Sequence, residues 1–106
     1  MPDQLKTHEE FQDCLKSNAM VAVDFTATWC GPCRQIAPTF IQLSEDNPEV
    51  KFIKIDVDEN GETASACKIN SMPTFQFFKD GAEVTALGFS GSSKDKLTKA
   101  IASLKE

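Results

Sequence analysis

An α/β fold with one mixed sheet is the architecture this sequence predicts, on three observations. The apolar run Met20-Val21-Ala22-Val23-Asp24-Phe25-Thr26 and the β-rich segment Val50 to Val57 are separated by a helical pattern, which makes a βαβ unit with parallel strands. Lys79-Asp80-Gly81 then joins two extended segments as an antiparallel hairpin. Amphipathic helical patterns occupy both ends of the chain.

The elements follow in order. Residues 2–6 read as a short edge strand. Thr7-His8-Glu9-Glu10 is a capping box, and Phe11, Cys14, Leu15 and Asn18 continue at helical spacing, so the first helix covers about Thr7 to Asn18. His8, the only histidine, falls in its polar first turn and reads as a solvated side chain. The run from Met20 to Thr26 is the kind a central strand needs, interrupted by Asp24. Asp24 is either a solvated anion on a half-exposed strand or a buried carboxyl that stays protonated to unusually high pH.

After Cys33, the residues Ile36, Ala37, Phe40, Ile41 and Leu43 trace an apolar helical face that ends before Asn47-Pro48. Pro38 inside it removes one hydrogen bond and presses on the carbonyl of Arg34, which predicts a kink. Beyond the strand at Val50–Val57, the carboxylates Asp56, Asp58 and Glu59 read as a solvated cluster. A third helix over about Gly61 to Lys68 carries Cys67 in its last turn, as either a small buried apolar residue or a secondary thiol; Cys14, on an apolar helix face, fits the former. Pro73 opens a strand over Thr74 to Phe78, a position that tolerates proline, and Glu83 to Phe89 returns antiparallel. Ser92 or Ser93 caps a last helix in which Leu97, Ala100, Ile101 and Leu104 repeat at helical spacing.

A chain of 106 residues holds one domain, residues 1–106, and 41% hydrophobic with 25% charged residues is ordinary for a folded soluble protein. The net charge is −5 with lysines scattered among carboxylates, so there is no basic stripe for nucleic acid. Neither a signal-peptide run nor a membrane-length apolar stretch occurs, which points to the cytoplasm. The four cysteines are too few and too unevenly spaced for a secreted disulfide scaffold.

The chemistry concentrates in Trp29-Cys30-Gly31-Pro32-Cys33, at the corner between the apolar strand and the next helix. Cys30 falls near the N-cap and Cys33 one turn in, on the same face and close enough to bridge. Gly31 allows the tight turn, and Pro32 fixes φ at a first-turn position that needs no donor. The free amides and positive dipole end favour a Cys30 thiolate. Cys30 then attacks a partner's disulfide and Cys33 resolves the mixed disulfide, with Asp24 the candidate base, directly or through water.

At this pentapeptide the chain resembles the thioredoxin family, and the resemblance runs over essentially its whole length. It implies the thioredoxin fold: a central mixed five-stranded sheet in the order 1-3-2-4-5, flanked by four helices. It also implies a redox-active Cys30–Cys33 disulfide, a buried Asp24 with Lys54 nearby, and an Asp58 that holds Trp29. By the same resemblance the Met72–Pro73 bond is cis and lies against the disulfide, leaving the Met72 backbone free for an extended substrate. Trp29, Met72, Thr74 and Gly91 would form the substrate-docking face. Arg34 stands where many members carry Lys, which keeps the charge. Ser71 replaces a cysteine that links two chains in some animal members, so that dimer is excluded and a monomer expected.

The implied activity is protein disulfide reduction with no bound cofactor or metal. Electrons come from NADPH through a thioredoxin reductase; peroxiredoxin, methionine sulfoxide reductase or ribonucleotide reductase are the implied partner proteins. Three other readings use the same motif. A zinc site needs a second ligand pair, which Cys14, Cys67 and His8 do not supply at ligand spacing. A disulfide oxidase or isomerase shares the fold but commonly has His where Pro32 stands. A redox-gated binding module would use the apolar rim without turnover.

Overall fold

The computed structural model describes residues 1–106. Strand β1 (Asp3–Gln4) leads into helix α1 (His8–Ser17), β2 (Met20–Thr26), α2 (Gly31–Asp46), β3 (Lys51–Asp56) and α3 (Gly61–Ala66). Strand β4 (Thr74–Lys79) is followed by β5 (Ala82–Glu83), a 3₁₀ turn at Thr85–Leu87, β6 (Phe89–Ser90) and α4 (Lys94–Leu104). The sheet order is β1-β3-β2-β4-β5, with β6 also paired to β4. β1 and β2 run parallel to β3, while β4 runs antiparallel to β2, β5 and β6.

Local chemistry accounts for the element ends. The Thr7 hydroxyl accepts from the Glu10 amide while the Glu10 carboxylate accepts from the Thr7 amide, the reciprocal cap that starts α1. Asp80 and Gly81 both take positive φ, at 53° and 84°, as the two-residue hairpin between β4 and β5 requires. Ser93, rather than Ser92, caps α4 by accepting from the Lys96 amide. Helix α2 runs through Pro38 without interruption.

Strand β2 lies between β3 and β4 with both faces covered, and Val21 to Phe25 are all buried. Side-chain alternation sends Val21, Val23 and Phe25 to the α1 side, where they join Phe11, Ile53, Ile55 and Phe78. Ala22 points the other way, into a core of Phe52, Phe75 and Phe77 with Ile36 and Phe40 of α2 and Leu97, Ile101 and Leu104 of α4. Phe75 is central there, its ring 5.8 Å from that of Phe40 and 5.1 Å from that of Phe89.

Four expectations are corrected. The returning strand predicted over Glu83 to Phe89 is broken: the 3₁₀ turn takes the chain out of the ladder after β5, and pairing resumes at Phe75 with Phe89 and Thr74 with Ser90. Helix α3 ends at Ala66, so Cys67 is its C-cap, and Lys68 follows at φ 59°. Strand β3 is one residue shorter at each end than Val50–Val57. His8 is half-buried rather than solvated, stacked on Phe11 with Nδ1 2.9 Å from the Thr63 hydroxyl, because α3 packs across the start of α1.

Phe75→Ala would remove a fully buried ring between two aromatic neighbours. The expected cost is about 3–5 kcal/mol of unfolding free energy, read from the denaturant midpoint, with far-UV dichroism at zero denaturant retained.

Candidate active site

Strand β2 ends at Thr26, and α2 begins at Gly31 after four intervening residues. Cys30 is the N-cap of that helix, with extended backbone, and its Sγ accepts from the Cys33 amide at 3.2 Å. Pro32 sits in the first turn, where its missing N–H costs nothing. Cys30 and Cys33 are joined as a disulfide with Cα atoms 5.3 Å apart. Both are nearly buried, Cys30 at 5% and Cys33 at 3% exposure, and pack with Ala27, Val57 and Met72.

The corner is held from several directions. The Cys30 amide donates to the Ala27 carbonyl, closing the turn before the helix. Trp29 is 64% exposed yet fixed, since its Nε1 donates to Asp58 Oδ2 at 2.9 Å. Asp58 is oriented in turn by Asp56, whose Oδ1 accepts from the amides of Asp58 and Glu59. The carboxylates after β3 are therefore a built turn that aims Asp58 at the indole, not merely a solvated cluster. Arg34 donates from Nη1 to the Thr28 carbonyl at 2.8 Å, a tether that nothing in its sequence neighbourhood signals.

The Met72–Pro73 bond is cis. The Pro73 carbonyl accepts from Gly91, whose φ of 106° suits a residue without Cβ. The Met72 amide and carbonyl have no partner in the structure. Thr74 stands in register with Ser90, and Met72 packs on the cysteine cluster.

Asp24 is 1% exposed, which settles its two readings in favour of burial. Its Oδ1 has no hydrogen-bond partner. Desolvation pushes its carboxyl up to about 7 from 3.8, opposed by the charge of Lys54, its register partner on β3. Lys54 also lines a cleft of about 320 Å³ together with Thr26, Cys33, Arg34 and Asp56. Asp24 makes no hydrogen bond to either Cys33 or Lys54.

The other cysteines lie apart. Cys14 is buried on the inner face of α1, and burial raises its thiol above the ordinary value. Cys67 is half-buried on the same side of the sheet, and burial, helped by Glu83, pushes its thiol up to about 11. No three His, Cys, Asp or Glu side chains are gathered as a metal site.

A family model described as thioredoxin matches residues 3–103. The chain belongs to the thioredoxin family. It is 45% identical to the thioredoxin of Equus caballus, over 98% of this chain and 99% of that one. A solved structure of Fasciola hepatica thioredoxin superposes with a TM-score of 0.92 at 41% identity, covering 96% of this chain and 98% of that one. Another, from work on thiol resolution in yeast mitochondrial 1-Cys peroxiredoxin through the glutathione and thioredoxin systems, matches at 0.92 and 36% identity, covering 97% and 95%. The chain is thus a thiol-disulfide oxidoreductase that reduces protein disulfides by exchange at its Cys30–Cys33 pair, and the family needs no bound cofactor for this. No helix is long and apolar enough to cross a membrane.

The raised Asp24 value fixes a pH dependence. Between about pH 4 and 7 the folded carboxyl holds a proton that the unfolded one has released, so the penalty is absent below that window, grows through it and is complete above it. Asp24→Asn is expected to flatten this slope. In the oxidised protein the gain should be negligible at pH 3.5 and at most about 4 kcal/mol at pH 8, measured by denaturant unfolding at both values.

Proposed function

We propose that residues 1–106 act as one monomeric domain in the cytoplasm, with Cys30 as nucleophile and Cys33 as resolving thiol. The observation that carries this assignment is the hydrogen bond from the Cys33 amide to Cys30 Sγ at the helix start. In the reduced protein that amide and the dipole end of α2 stabilise a Cys30 thiolate, while Cys33 lies deeper and lacks such a donor. The Cys30 thiolate attacks one sulfur of a partner's disulfide, and the partner's other sulfur leaves as a thiolate. Cys33, losing its proton, then attacks Cys30 Sγ; the internal disulfide forms and the second partner sulfur is released. Two electrons and two protons pass to the partner.

Asp24 is the acceptor for the Cys33 proton, reached through the polar cleft that Cys33 shares with Lys54. A carboxyl poised near 7 both takes and returns a proton at neutral pH. The partner's chain docks as an extended segment against the unpaired Met72 backbone, over the exposed face of Trp29 with Thr74 and Gly91 alongside. Asp58 supports Trp29, and Gly31, Pro32 and Pro73 shape the corner. Electrons return from NADPH through a thioredoxin reductase. Peroxiredoxins, methionine sulfoxide reductase and ribonucleotide reductase are the partner classes; the resemblance to the yeast structure favours the first.

Insulin reduction coupled to NADPH and a thioredoxin reductase tests this assignment. Cys30→Ser is expected to abolish turnover, and Cys33→Ser to accumulate mixed disulfides visible on non-reducing gels; wild-type turnover in either variant refutes the roles. Asp24→Asn should slow release of the mixed disulfide at least several-fold at pH 7 and remove its pH dependence. An unchanged pH profile removes Asp24 from the reaction.

A further inference from the structure

Three hydroxyls lie beside the Met72–Pro73 corner; Ser71 and Ser90 have no part in the chemistry above, and Thr74 enters it only as a flank of the docking face. Thr74 Oγ1 lies 2.7 Å from the Ser71 carbonyl oxygen and 2.8 Å from Ser90 Oγ, and Ser71 Oγ lies 3.3 Å from Ser90 Oγ. A carbonyl can only accept, so the Thr74 proton goes to Ser71 O. Thr74 Oγ1 must then accept from Ser90. Ser90, its own proton committed, accepts from Ser71.

The three bonds close a ring that uses every hydroxyl proton internally. Only lone pairs remain for a visitor. The ring is also well fixed, since Thr74 and Ser90 are register partners across β4 and β6, and the Gly91 amide is bound to the Pro73 carbonyl at 2.8 Å. Ser71 and Ser90 are exposed and Thr74 half-buried, next to the unpaired Met72 backbone.

We propose that the Ser71–Thr74–Ser90 ring is a specificity determinant: an acceptor-only rim that favours substrate segments carrying lysine or arginine beside their disulfide. A basic side chain brings N–H donors that the ring receives intact. An acidic one sets acceptor against acceptor, and a proton can be freed for it only by opening the ring. The chain's net charge of −5 acts in the same direction at longer range. This inference rests on the docking of substrate along Met72.

The test uses two disulfide peptides identical except for Lys or Glu next to the cysteine, with kcat/KM measured for the full chain at fixed pH and salt. The wild type should prefer the Lys peptide, and that ratio should fall about threefold in both Ser71→Ala and Ser90→Ala, the scale of one exposed charge-assisted contact. A merely structural role would lower both peptides alike, so an unchanged ratio overturns the proposal, as does a wild type with no Lys preference. The Met72 amide resonance in the Cys33→Ser mixed disulfide with the Lys peptide separates the two readings. If it does not shift on capture, docking at Met72 fails and the proposal with it; if it shifts while the ratio holds, the specificity claim alone fails.

Discussion

Burial of β2 on both faces and along both edges is the constraint on which the rest of the molecule depends. A strand paired to β3 and β4 and covered by helices on each side has no freedom to shift register, since a one-residue slip would exchange Asp24 with Val23 and Phe25 between the two cores. Its C-terminal end is therefore a fixed point. The turn at Ala27–Cys30 hangs from it, and helix α2 starts from that turn with its first free amides beside Cys30. Reactivity at the sulfur is in this sense a property of the sheet.

The same burial creates the unpaired Asp24 carboxyl. Its neighbours on the strand are apolar, and the one nearby cation, Lys54, offsets only part of the desolvation. A residue that weakens the fold at neutral pH is retained next to the cleft that contains Cys33. The proton transfer proposed for Asp24 and the stability of the fold oppose each other at this position, as they do where a titratable group serves chemistry.

Much of this was legible in the residues because strong local signals agree with the tertiary structure. The bounds of β2, the capping box at Thr7 and the Asp80-Gly81 hairpin each depend on chemistry within a few positions. The cysteine pair at a helix start was legible for the same reason. What escaped was set by contacts distant in sequence. His8 is drawn in by Thr63, which lies 55 positions away. The break after Glu83 reflects packing of Val84 and Leu87 on the core beneath α4, against a pattern that reads as one strand. Asp58 was assigned to Trp29 only through family resemblance, since the turn that aims it is made by Asp56 and is invisible to periodicity. The Arg34 tether had no sequence signal at all.

Cys14 and Cys67 lie on the α1 side of the sheet, with thiols shifted by burial away from ionisation at neutral pH. Alkylation depends on the thiolate, so these two residues are slow to react with iodoacetamide or a maleimide in the folded state. On the thiolate assignment proposed above, Cys30 thus dominates brief labelling of the reduced native protein. The mass added in such a pulse counts reduced molecules directly, with no need to mutate the two bystanders away.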